Sequence, residues 1–204
     1  MMPKNKLSIL LSKLADFESP SAKLEQYSTP SDIAADVLWN AYMNGDIENK
    51  TIIDAACGPG FLGIGALLLG AKKVYFVDKD IKALNIAARN VKSVEKEKAF
   101  SREFVLRDIS ETKIRADVVI QNPPFGTKKE HADRLFLIKA FESAQVIYSF
   151  HKLSTEKFVQ SIAADNGFMI THLYKYDFPL KATQSFHEKP VRNIEVGCWR
   201  LAKF

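Results

Sequence analysis

One short stretch of the chain concentrates residue types suited to activating an amino group. Asp117–Phe125, DVVIQNPPF, begins with an apolar run that fits a buried strand and continues with an amide side chain, two prolines and an aromatic ring. Consecutive prolines remove two backbone donors and fix φ, so Asn122, Pro123, Pro124 and Phe125 are expected to form a stiff turn with unopposed carbonyls at the carboxyl end of a strand. The side-chain oxygen of Asn122 and the carbonyl of Pro123 are then two fixed acceptors. An amino group on an aromatic ring is a poor nucleophile, because its lone pair is delocalised into the ring. Acceptors that draw its hydrogens aside restore a pyramidal nitrogen and free that lone pair, while Phe125 offers the ring a stacking surface. An Asn-Pro step also punctuates ordinary strand ends. The turn gains its weight from what precedes it.

Upstream, TIIDAACGPGFLGIGALLLGA (51–71) places a buried strand, an acid, a glycine turn and an apolar helix in succession. Glycines at 58 and 60 permit close backbone approach, as in nucleotide-binding first turns. The spacing departs from the dinucleotide pattern G-x-G-x-x-G, and Asp54 at the strand end would repel a pyrophosphate. The same acid attracts the ammonium or sulfonium of S-adenosylmethionine, so Asp54 with the glycine turn at Gly58 and Gly60 reads as a site for that cofactor rather than for a nicotinamide dinucleotide. Asp78 closes the next strand in VYFVDKD, where a carboxylate accepts from both ribose hydroxyls. Asp80 is its rival, and reads better as the N-cap of the following helix. Asp108, after a third strand in FVLRDI, stands where it can accept from the cofactor's adenine amine.

Short apolar strands alternating with helical stretches position these residues. The strands read as Thr51–Ile53, Val74–Val77, Phe104–Leu106, Val118–Ile120, Val146–Tyr148, Phe168–Tyr174 and Ile194–Leu201. Helices are expected over Lys4–Phe17, from Ser31 toward Gly45, around Leu62–Leu69, Ile81–Asn90, Asp133–Ser143 and Thr155–Asp165, with a turn near Glu111. The last two strands lack an intervening helix and read as a hairpin after five parallel strands. The fold class is α/β. A single domain over 1–204 is expected, with a helical segment at 1–45 over the cofactor cleft and a core at 50–204.

With 47% apolar and 26% charged residues in a chain of 204, the composition fits a globular protein with a continuous core and no membrane span. The N-terminus lacks the pattern of a secretory signal, which points to the cytoplasm. A net charge of +5 favours a polyanionic partner such as RNA. The two cysteines, Cys57 and Cys198, lack metal-ligand spacing.

DAACGPGFLGIG, VDKD and QNPPFGTK together resemble the class I amino-methyltransferases. LEQYSTP, DIENK, YSFHK and the C-terminal KYDFP, FHEK and IEV closely resemble the ribosomal-RNA adenine-N6 methyltransferases of the methyltransferase-like five type and their archaeal relatives, from about Leu24 to the C-terminus. The resemblance implies a Rossmann-like fold: a seven-stranded, mostly parallel sheet with an antiparallel last strand and helices on both faces. It implies S-adenosylmethionine as methyl donor and the exocyclic N6 of an adenine in structured RNA, small-subunit ribosomal RNA, as acceptor. Gln26, Tyr27 and Thr29 would line the cofactor's amino-acid end, the loop from Asp54 to Gly60 with Asp78 would hold the rest, Asp108 would meet the adenine, and Asn122–Phe125 would form the catalytic turn. It further implies a small zinc-binding activator subunit paired along a sheet edge. Two departures stand out: Ala56 where relatives usually carry Gly, and Pro59 where a small residue or Cys is common.

Guanine-N2 methylation of ribosomal RNA, DNA adenine or protein glutamine methylation, and a non-catalytic cofactor-binding role in ribosome assembly remain as alternatives. Phe150 and His151 fall on the catalytic side of the sheet, with His151 as a candidate for positioning substrate. Lys128 and Lys129 are candidate phosphate contacts, and Phe186, His187, Lys189 and Arg192 form a basic, aromatic cluster suited to RNA.

Overall fold

The computed structural model describes residues 2–18, 20–21, 25–95, 99–125, 132–181 and 191–204. Its strands are β1 (Thr51–Ala55), β2 (Lys73–Asp78), β3 (Arg102–Leu106), β4 (Val118–Gln121), β5 (Val146–Lys152), β6 (Phe168–Lys181) and β7 (Val191–Lys203). They form one seven-stranded sheet in the order β3-β2-β1-β4-β5-β7-β6. The first five strands pair in parallel, and β7 runs antiparallel to both of its neighbours. The expected sheet, with its reversed last strand, is the one observed.

Successive residues of the central strands are buried on opposite sides, which is why they read as continuous apolar runs. Ile52, Val74, Phe76, Val118 and Ile120 belong to one core, whereas Ile53, Val77, Val119 and Ile147 belong to the other. Helices α1 (Lys4–Leu11), α2 (Ser31–Met43), α3 (Phe61–Leu68) and α4 (Ile81–Val94) cover the first face. Helices α5 (Ala132–Ser143) and α6 (Glu156–Asp165) cover the second. No helix among the described residues is long and apolar enough to cross a membrane.

Strand β5 runs on to Lys152, past the expected Tyr148, and α4 to Val94, past Asn90; the two largest departures from the expected boundaries each have a local reason. Helix α1 stops at Leu11, short of the expected Phe17. Beyond it the Asn90 side chain takes over as backbone partner, accepting from Ala15 N at 2.9 Å and donating to Ala15 O at 2.8 Å. The same amide donates to the Pro59 carbonyl at 2.9 Å and so ties the N-terminal segment to the glycine loop. Strand β6 runs to Lys181, past the expected Tyr174, even though Pro179 lies in it. A proline is tolerated there because β6 is an edge strand, with one side of its ladder unpaired. Glu111 lies in a short 3₁₀ turn, Ile109–Glu111.

A buried polar knot joins the loop after α2 to β5 and β7 on the face of the sheet that α2 covers. Asp46, 7% exposed, accepts from Arg200 Nε at 2.8 Å, Arg200 Nη2 at 3.2 Å and the Tyr148 hydroxyl at 2.7 Å. Removing one partner of a buried charged pair leaves the other uncompensated. Asp46→Ala is therefore expected to lower unfolding free energy by about 3 kcal/mol. Lys4→Ala, which breaks an exposed pair with Asp36, should cost less than about 1 kcal/mol. Urea denaturation of both variants measures the difference, and equal losses would rule out Asp46 as the tie between the two layers.

Candidate active site

At the boundary between β1 and β4 the chain departs to opposite faces: α3, which follows β1, covers one, and α5, which follows β4, covers the other. The divergence opens a crevice beyond the carboxyl ends of the strands, where ligands bind in open α/β sheets. A cavity of about 220 Å³ occupies it, lined by residues 25–29, the loop after β1, the end of β2, Asp108, Ile109, Asn122 and Pro124.

The loop after β1 is bent by three left-handed residues, Ala56 (φ 54°), Gly58 (φ 52°) and Gly60 (φ 88°). Ala56 adopts the conformation that glycine takes most cheaply, at a strain of roughly 1–2 kcal/mol. The loop forms with alanine nonetheless, because hydrogen bonds pin it on either side: Cys57 N donates to Val77 O at 3.1 Å, and Gly58 N to Asp78 Oδ2 at 2.9 Å. Asp54, at the end of β1 and 1% exposed, accepts from Gly63 N at 2.7 Å. A Cβ at Gly63 would lie 2.4 Å from the Phe76 ring and 2.9 Å from that carboxylate, so the helix can approach the acid only with glycine there.

Asp78 accepts from Gly58 N and, through its other oxygen, from Asp80 N at 2.9 Å. Asp80 caps α4 through Lys82 N, as expected, and also accepts from Gln26 Nε2 at 2.7 Å. The opposite end of the Gln26 amide accepts from Ser21 N at 2.9 Å. Gln26 thus lies beside Asp80 at the β2 end of the cleft, anchoring the segment that carries Tyr27 and Thr29. Asp108 lines the cavity and caps the 3₁₀ turn, accepting from Ser110 N at 3.0 Å and Ser110 Oγ at 2.8 Å.

In the Asn-Pro-Pro-Phe turn, Asn122 Nδ2 donates to Thr29 Oγ1 at 3.0 Å, which fixes the direction of the amide. Its oxygen is buried with no hydrogen-bond partner among the described residues. The Pro123 carbonyl, in contrast, accepts from the Tyr27 hydroxyl at 3.2 Å. Tyr27 also stacks on Phe125, with centroids 5.0 Å apart and planes at 23°. Asn122 and Pro124 therefore face the cavity, whereas Tyr27 covers Pro123 and Phe125.

His151 is a core residue and does not line the cavity. It is 1% exposed, shares a 2.7 Å hydrogen bond with Ser149 Oγ, and lies 3.6 Å from Asp133. Ser149 in turn accepts from Gln121, its register partner on β4. Phe150 is fully buried as well. Burial raises the thiol pKa of both Cys57 and Cys198, so each stays protonated. Lys128, Lys129, Phe186, His187 and Lys189, and the side chain of Arg192, lie outside the described residues. Two residues that the sequence did not single out matter here. Phe17, freed by the early end of α1, lines the cavity and packs against Gly58. Phe178, on β6, makes T-shaped contacts with both Tyr27 and Phe125.

Residues 28–147 match the family described as methyltransferase small domain. The chain is 35% identical to the rRNA N6-adenosine-methyltransferase Mettl5 of Drosophila melanogaster, over 96% of this chain and 94% of that one. It is 38% identical to an uncharacterised protein of Methanocaldococcus jannaschii, over 100% and 95%. A crystal structure of a proposed RNA methyltransferase from Pyrococcus horikoshii superimposes with a TM-score of 0.91 at 40% identity, covering 100% of this chain and 98% of that one.

Burial raises the pKa of Asp54 and Asp78, and backbone N–H donors oppose it only in part. The folded chain thus binds protons more tightly than the unfolded one. The stability these carboxyls allow is complete below the usual carboxylate range and is lost as pH rises through their raised values. Asp54→Asn keeps an acceptor for Gly63 N and removes the charge, so the cofactor-free variant is expected to melt higher than wild type at pH 7. The advantage should vanish as the pH falls below the ordinary carboxylate range. Thermal unfolding across pH tests this, and a lower melting point at pH 7 contradicts it.

Proposed function

The chain belongs to the methyltransferase small domain family and, within it, to the rRNA N6-adenosine methyltransferases of the Mettl5 type, and on that premise we propose that it methylates the exocyclic N6 of an adenine in ribosomal RNA, with S-adenosylmethionine as donor. Asn122 carries this reading. A buried acceptor without a partner among the described residues, held in one direction by Thr29 at the wall of the cavity, is suited to a donor that arrives with the substrate.

The cleft residues fit the cofactor chemically. Asp54 and Asp78 are acids whose charge is disfavoured by burial, and a bound cation would relieve that penalty. Asp54 and the loop Ala56, Gly58, Pro59 and Gly60 would hold the amino-acid end together with Thr29, Asp78 the ribose hydroxyls, and Asp108 with Ile109 the adenine. Gln26 would keep this wall in place through Asp80. When bound, S-adenosylmethionine supplies a methyl carbon made electrophilic by its sulfonium.

The chain's own part is to prepare the nucleophile. Asn122 Oδ1 and the Pro123 carbonyl accept the two N6 hydrogens, which turns the lone pair out of the ring plane. Pro124 keeps the turn stiff, and Phe125 holds the flipped base by stacking worth roughly 1–3 kcal/mol. Neutral acceptors suffice, because positioning and preorganised dipoles rather than a strong base lower the barrier, and the methylated nitrogen, cationic once the methyl–sulfur bond has broken, then loses its extra proton to solvent. The proposal extends to a small zinc-binding activator subunit, which would pair along an open sheet edge, β3 or β6. It also places the reaction in the cytoplasm.

Methyl transfer from labelled S-adenosylmethionine to small-subunit RNA, taken from cells lacking the gene and with the activator supplied, tests the reading. Nucleoside mass spectrometry identifies the product. Wild type should yield N6-methyladenosine, and Asn122→Ala should be slower by roughly 10²–10³-fold. No transfer by wild type overturns the function, and N2-methylguanosine overturns the assigned base.

A further inference from the structure

The Tyr27 ring already makes the contacts that a flipped base would need. It lies nearly parallel to Phe125 at a centroid distance of 5.0 Å, within the usual range for offset stacking. Phe178 closes a second side, with its plane at 78° to Tyr27 and 86° to Phe125. The hydroxyl at the rim of the Tyr27 ring donates to the Pro123 carbonyl, one of the two acceptors that await the target amine. A hydroxyl carries one hydrogen and an amino group carries two. Tyr27 accordingly satisfies one acceptor and leaves the other, Asn122 Oδ1, buried and unpaired among the described residues.

We infer that Tyr27 is a stand-in for the target base, holding a subsite walled by the face of Phe125 and by the near-perpendicular ring of Phe178 until an aminopurine displaces it. The inference rests on the proposed function and adds to it a third wall and a competing occupant. An adenine presents a six-membered ring with its donor at the rim, as Tyr27 does, together with the second hydrogen that completes the pair of acceptors. A purine without the amine would leave both acceptors unpaired and has no such advantage over the tyrosine. Tyr27 is thus a positioning residue: it fills the space against both aromatic walls and lets in only a ring that outbids its single hydrogen bond. Gln26 and Thr29, bonded to Asp80 and Asn122, hold the backbone on either side, so the side chain alone has to swing away.

The test uses the full chain with its cofactor cleft filled by S-adenosylhomocysteine, so that an added base cannot bind there. The probes are 9-methyladenine and 9-methylpurine, titrated by nuclear magnetic resonance. Tyr27→Ala should bind 9-methyladenine roughly tenfold more tightly than wild type and prefer it to 9-methylpurine. Tyr27→Phe keeps the ring but frees the Pro123 carbonyl, and should gain roughly threefold. It keeps the inference testable if the alanine variant fails to fold. Unchanged affinity in the folded variants, or equal affinity for the two probes, overturns the inference. RNA methylation by wild type separates the two ideas: methylation without a gain in the variants sinks the stand-in alone, and a gain without methylation supports the subsite while sinking the proposed reaction.

Discussion

Where β1 and β4 lie side by side, their connections must leave in opposite directions, because the helix that follows each is buried against a different face. Two adjacent parallel strands cannot do this without leaving the space beyond their carboxyl ends uncovered. Asp54 ends β1 on one side of that space, and Asn122 follows β4 on the other. Register reinforces the arrangement: Ala55 is paired with Gln121, so the glycine loop and the proline turn start from the same level of the sheet. Every proposed contact to cofactor or base follows from this parting. Phe17 and residues 25–29 line the same space, held by the Asn90 amide and by Gln26.

The crevice is poorly suited to folding as such, and that supports its reading as a functional site. The chain carries a net charge of +5, yet the described cleft gathers Asp54, Asp78 and Asp108, two of them with ionisation opposed by burial. Beside them, Ala56 is held in a left-handed conformation and Asn122 Oδ1 is buried without a partner among the described residues. Strain, disfavoured charge and an unsatisfied acceptor, all within one cavity, are features that packing would remove if nothing were to bind.

Much of this is legible in the residues. The central strands announce themselves because both of their faces are buried, and the acids and the proline turn are identified by their place at strand ends. The capping role of Asp80 follows from local chemistry. The contacts among the site residues are not legible. Tyr27 and Pro123 are 96 positions apart, and no periodicity relates a hydroxyl in an irregular segment to a carbonyl in a distant turn. The same is true of Thr29 and Asn122, and of Asn90, whose long-range bonds cut short a helix that its own apolar spacing would have continued. Pro179 hides the outer half of β6, since a proline in a strand is permitted only at an edge, and edge status is a property of the whole sheet.

The position of β7 bears on how the molecule is assembled. It is the last strand in chain order, yet it lies inside the sheet, between β5 and β6, and among the described residues β6 pairs with no other strand. A nascent chain that has not yet released Val191–Lys203 from the ribosome therefore has β5 exposed along one ladder and β6 without a neighbour. Arg200 is delayed with it, so Asp46 and Tyr148 must wait for their cation until β7 is available. Closure of the sheet therefore waits for β7 to emerge and does not simply proceed from the N-terminus.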